Sequence, residues 1–183
     1  MMLTADTSPP VTEYTPTPTY ASVARTQELA RARKYQHLRS TLLSTDPSEN
    51  QKTTPLILQS LLSDPDLDLA DLRKLFGALR RAFLVALWEH RQVNLWIKRA
   101  TNLGVDYAMA VAEDESVAKY PSRYVFFREM DEGLDVGDGG AGREEIVGLI
   151  LRHVQAYRET MEEVRGRMGV MDGLLRGWDG DGV

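Results

Sequence analysis

The residues of this chain best suited to proton or metal chemistry near neutral pH are its three histidines, His37, His90 and His153. His90 and His153 each fall on the apolar stripe of a long helical pattern. If those two helices lie antiparallel with matched ends, the rings reach similar heights and could share a hydrogen bond or respond to pH. A metal wants a third or fourth ligand, and neither His37 nor any carboxylate stands at ligand spacing. The reading that needs least is a pair of core histidines. Cysteine is absent, no G-x-S-x-G turn occurs, and no serine or threonine sits beside a histidine with an orienting carboxylate. The sequence therefore names no catalytic, cofactor-binding or metal residue, and the expectation is a non-enzyme without cofactor.

Two glycine-rich stretches invite a ligand reading and lose it on context. Gly137 to Gly142 fits G-x-G-x-x-G and opens a helix, the arrangement that cradles a phosphate. No βαβ pattern surrounds it, and Asp138, Glu144 and Glu145 would repel an anion there, so residues 133–142 read as a flexible linker. Asp179 to Gly182 resembles a fragment of a calcium loop, but the closing glutamate is missing. The run Glu113, Asp114, Glu115 reads as a solvated helix face.

Two surfaces remain as binding candidates. Arg31, Arg33, Lys34 and Arg39 form a basic patch on the first helix, extended on another by Arg73, Lys74, Arg80 and Arg81. Phosphates bind such stripes, yet the net charge is −5 and no nucleic-acid motif accompanies the patch. Nucleic acid is thus possible and not favoured. Tyr120, Tyr124, Phe126 and Phe127 crowd a short segment between the acidic run and the linker. They are either a plug over the end of a bundle or an exposed anchor for a protein partner. Residues 105–142 hold three Lys or Arg against nine Asp or Glu, an asymmetry that can steer partners.

The elements that must position these residues are helical. With 183 residues and 43% hydrophobic content, the chain can bury one domain's core. Residues 1–19 are rich in Thr, Pro and Ser and predict a disordered tail; Ser8-Pro9, Thr15-Pro16 and Thr17-Pro18 are formal sites of proline-directed phosphorylation. A helix follows from about Ser22 to Leu43, then a loop over 44–53. Thr54 caps a short helix with Pro55 in its first turn. Asp68 caps a long one over 69–103, with Asp71 near the positive end of the helix dipole and Gly104 as its stop.

Steps of four and three along that helix give Leu72, Phe76, Leu79, Phe83, Ala86, His90, Val93, Ile97 and Ala100, a sustained seam. Leu84, Trp88 and Leu95 form a second line, and a carrier enclosing an apolar ligand between the faces of Trp88 and Tyr157 is a third possibility. Asp106 caps a fourth helix ending before Pro121. Residues 143–175 carry Ile146, Ile150, His153, Tyr157, Met161, Val164, Met168, Met171 and Leu175 on one face, and glycines at 148, 166, 169 and 173 weaken its C-terminal third. Residues 177–183 read as a loose tail.

The expected fold is an all-α, antiparallel bundle of about five helices occupying residues 20–176, its two long helices joined through Phe76, Leu79, Phe83, Ile150, Tyr157 and Met161. No apolar run approaches the roughly 20 residues of a membrane span, and no signal peptide opens the chain, so a cytoplasmic or nuclear home is expected. The expected role is an interaction or scaffold protein: a complex subunit or a self-associating adaptor.

Overall fold

Three helix starts, those after Asp46, Thr54 and Asp68, are each set by a short polar side chain that accepts from an otherwise unpaired amide. Asp46 accepts from Ser48 N at 2.8 Å, Thr54 from Ile57 N at 3.4 Å and Asp68 from Asp71 N at 2.8 Å. In the computed structural model residues 20–114 and 142–178 are described, and every regular element among them is a helix. They are α1 (Tyr20–Leu43), α2 (Pro47–Lys52), α3 (Pro55–Leu62), α4 (Leu69–Leu103), α5, helical over 105–114, and α6 (Arg143–Gly177). No helix among the described residues is long and apolar enough to cross a membrane. The expected tail over 1–19, most of the linker over 133–142 and the end of the chain beyond 178 lie outside the described residues.

Two local expectations are corrected. The 44–53 loop contains α2, because Pro47 occupies its first turn, where its missing N–H costs nothing, and Asp46 supplies the cap. Asp106 is not the cap of α5, since residue 105 is already helical. The Gly104 stop stands: its φ of 94° and ψ of 157° lie where a side chain is excluded, and its N–H donates to Ala100 O at 3.1 Å.

The core is the contact between α4 and α6. Leu72, Leu75, Phe76, Leu79 and Ala86 of α4 are buried against Ile146, Leu149, Ile150, Val154 and Tyr157 of α6, with Phe83 and Met161 partly buried beside them. Fully burying an aliphatic or phenylalanine side chain is worth about 1.5–3 kcal/mol, so this seam outweighs any single polar contact in the molecule. Leu38 and Leu42 of α1 and Leu58 and Leu62 of α3 close the same cluster. Leu84 and Trp88 are also buried, outside that cluster, which matches a helix covered on more than one side.

The orientation of the long pair overturns the antiparallel expectation: α4 and α6 run parallel. Arg143, at the start of α6, reaches the carbonyl of Leu67 just before α4. Farther along, His153 meets Phe76 and Phe83, and farther still His90 meets Glu163. Both residue numbers rise together. An apolar seam is the same stripe read in either direction, so periodicity fixes which faces meet and leaves their relative direction open. A parallel pair requires a long crossover, and residues 104–142 supply the length. α3 is the element that does run against α6, since Arg158 of α6 sits at its start and Arg143 at its end.

Phe76 is 2% exposed whereas Phe83 is only partly buried. Phe76→Ala is expected to cost about 3–5 kcal/mol of unfolding free energy, and Phe83→Ala distinctly less. Equal losses in denaturant melts would contradict this division of the seam.

Candidate interaction surfaces

Three arginines of α6 and a tyrosine tie the short helices down by donating to carbonyls. Arg143 donates to Leu62 O (3.1 Å), Asp64 O (2.6 Å) and Leu67 O (2.6 Å), at the end of α3 and in the turn that follows. Arg158 donates to Thr41 O (3.3 Å) in the last turn of α1 and Thr53 O (3.2 Å) at the C-cap of α2. Arg165 donates to Thr45 O, and Tyr157 Oη to Leu43 O at 3.4 Å. Helix C-termini expose unpaired carbonyls and a partial negative charge, so cations placed there satisfy both. Burial pushes the Arg158 guanidinium below its ordinary value and the Tyr157 hydroxyl above its own, the latter helped by Glu89. Sequence reasoning missed these arginines because their partners are main-chain oxygens, which leave no side-chain signal.

The basic patch on α1 is largely spent internally. Arg31 donates through Nε to Asp71 at 2.7 Å and through Nη2 to Asp68. Lys34 bridges Asp64 at 3.1 Å and Asp66. Asp71 is 7% exposed, so its carboxylate depends on the Arg31 contact and on Lys74 at 4.0 Å. Arg33 and Arg39 stay exposed, as do Arg73, Lys74 and Arg81, while Arg80 is half-buried. The surface offered to phosphate is thus smaller than the sequence implied. Pairing of the aspartates with Arg31 and Lys34 is a consequence of α1 lying along the α3–α4 turn.

The histidines do not meet. In the parallel register His153 lies beside Phe76 and Phe83, with ring centroids 5.0 and 6.0 Å away and edge-on planes. It is 8% exposed; its Nδ1 donates to Leu149 O at 2.9 Å, and its Nε2 has no partner. His90 lies farther along, its Nε2 3.0 Å from Asn94 Nδ2 and 3.1 Å from Glu163 Oε2. Among the described residues no three His, Asp or Glu side chains gather as a metal site. His37 is exposed at the rim of a shallow cleft between α1 and α3.

Of the G-x-G-x-x-G stretch only Gly142 is described. It is the α6 N-cap without a side-chain bond, and Glu144 and Glu145 follow in the first turn. Tyr120, Tyr124, Phe126, Phe127 and Glu115 lie outside the described residues, while Glu113 and Asp114 are exposed. Trp88 and Tyr157 each fill buried positions, at 6% exposure apiece. The described part of α6 that leaves apolar groups uncovered is its C-terminal third. Met168, Val170 and Trp178 are exposed at 47%, 48% and 41%, and Met171, Leu174 and Leu175 are half-buried.

The charge clamp gives a pH signature. Asp68 is held below the usual carboxylate range by the Asp71 amide and then Arg31, and Asp64 by the Asp66 amide and then Lys34. Depressed folded values stabilise the fold above the unfolded carboxylate value of about 4 and lose that effect as pH falls through them. Lys34, raised by Asp66 and Asp64, contributes at neutral pH and loses its effect only as pH rises through its raised value. The melting temperature is therefore expected to hold from neutrality to about pH 5 and drop below about pH 4, with a shallower drop in Asp68→Asn. An identical acid profile in that variant would refute the clamp.

No protein family, curated protein or solved structure matches this chain, so its functional reading rests on the surfaces themselves.

Proposed function

We propose that this protein is a non-enzymatic helical interaction or scaffold protein, a subunit of a multiprotein complex or a self-associating adaptor, and that the C-terminal third of α6 is its docking face. One observation carries the reading. Beyond Val164 no described residue of α6 is buried, yet the helix continues to Gly177 and bears Met168, Val170, Met171, Leu174, Leu175 and Trp178. Apolar surface left in water forgoes about 25 cal/mol per Å², and contiguous exposed apolar groups mark partner sites more often than scattered ones do. Long α-helical faces suit this use because anchors recur every three or four residues on one side.

Nucleic-acid binding through α1 has weaker support, since Arg31 and Lys34 are engaged by four aspartates and the net charge is −5. A phosphate-binding face would also have to show steep weakening with salt.

Met168→Ser, Val170→Ser and Trp178→Ser alter exposed side chains, so a triple variant is expected to keep its helix content and melting temperature. Purified from the native source, the variant is expected to lose proteins that co-purify with the unaltered chain. Retention of every such protein by the folded variant would defeat the docking assignment.

A further inference from the structure

The outward face of the same helix has a charge pattern complementary to its own reverse. Val164 of α6 is buried, and positions 166, 169 and 173 lie roughly half a turn away from it at about 100° per residue. All three are glycines, and a methyl group built on any of them meets nothing within 4 Å. Along this face stand Glu162, Arg165, Asp172 and Arg176, in the order minus, plus, minus, plus, all exposed. Glu162, Asp172 and Arg176 take part in no ion pair among the described residues. Arg165 spends one nitrogen on Thr45 O and keeps further donors.

We propose that α6 pairs antiparallel with α6 of a second copy, crossing at Gly169; this rests on the self-association reading above and uses the face of α6 opposite Met168 and Trp178. A two-fold axis at Gly169 sets Glu162 opposite Arg176 of the other copy, and it brings Arg165 within one helical position of that copy's Asp172. Each contact occurs twice, as an isologous interface demands. The opposite, parallel pairing would set each charge against its own kind, which is repulsive. The glycines contribute closeness: with no side chains between them the two helices approach nearer than the usual 8–10 Å between axes, and Val170 at the edge of the face becomes covered. A single crossing of this length is small beside the roughly 1,200–2,000 Å² of a stable interface. The dimer is therefore weak, concentration-dependent and sensitive to salt.

Sedimentation equilibrium of the full chain at low and high salt tests the proposal. The unaltered chain is expected to form dimers that dissociate as salt rises. Glu162→Arg alone and Arg176→Glu alone are each expected to weaken dimerisation at least tenfold, and the double swap to restore it. Gly169→Gln is expected to abolish the dimer while leaving the melting temperature of the monomer unchanged or higher, because glutamine is the better helix former; this separates association from folding. A chain that is monomeric at every concentration, single swaps without effect, or a double swap that fails to restore the dimer would each overturn the second copy as occupant. A monomeric chain whose folded Met168, Val170 and Trp178 variant still loses its co-purifying proteins would overturn this pairing and leave the docking reading standing. The reverse result, dimers as described with no protein lost by that variant, would overturn the heterologous docking role alone.

Discussion

Everything else in the fold depends on the parallel contact between α4 and α6. Two helices of 35 residues each are rods of roughly 50 Å, and together they form a trough that two helices alone cannot close. α1 and α3 supply Leu38, Leu42, Leu58 and Leu62 to close it at one end. No described residue of α6 after Val164 is buried, so the closed core occupies only part of the rods. A closed core at one end and apolar groups left uncovered at the end of α6 are consequences of the same mismatch in length.

Short helices such as α2 and α3 cannot hold themselves in water, because nucleation is costly and few internal hydrogen bonds repay it. Here they are held from outside. Arg143, Arg158 and Arg165 donate from the long helix into the carbonyl ends of α1, α2 and α3 and their turns, while Arg31 and Lys34 grip the aspartates around the start of α4. The exposed members of this network contribute little individually. Their effect is on geometry, since each fixes a helix end against a particular point along α6 or α1. Asp71 is the exception in burial, and its carboxylate requires the cation that reaches it.

The same network changes what the surface can do. Arg31 and Lys34 of α1 are internal fasteners, whereas three of the four charges on the outer face of α6 have no ion pair among the described residues. Glu162, Asp172 and Arg176 are left with water, beside glycines that present bare backbone. A surface whose charges are unspent and whose apolar groups are uncovered differs physically from one that is merely charged, and it is this combination at the end of α6 that supports a docking role.

The sequence by itself determined the helices, because their determinants are local. Asp68 and Thr54 as caps, Pro55 in the first turn, Gly104 as the stop and the period of the seam all act within a few residues, and each reads the same in the fold. It also identified which faces are apolar, hence the burial of Phe76, Leu79 and Ile150. The loop expected over 44–53 holds α2, since Pro47 suits the first turn of a helix as well as a loop. Only the tertiary structure decided the direction of α4 against α6, since a hydrophobic stripe has no polarity and packing energy alone does not distinguish the two senses. That one choice separated His90 from His153 and placed His153 between Phe76 and Phe83. It likewise turned three arginines toward main-chain carbonyls, partners that no residue pattern encodes, and it left the glycine face of α6 pointing outward.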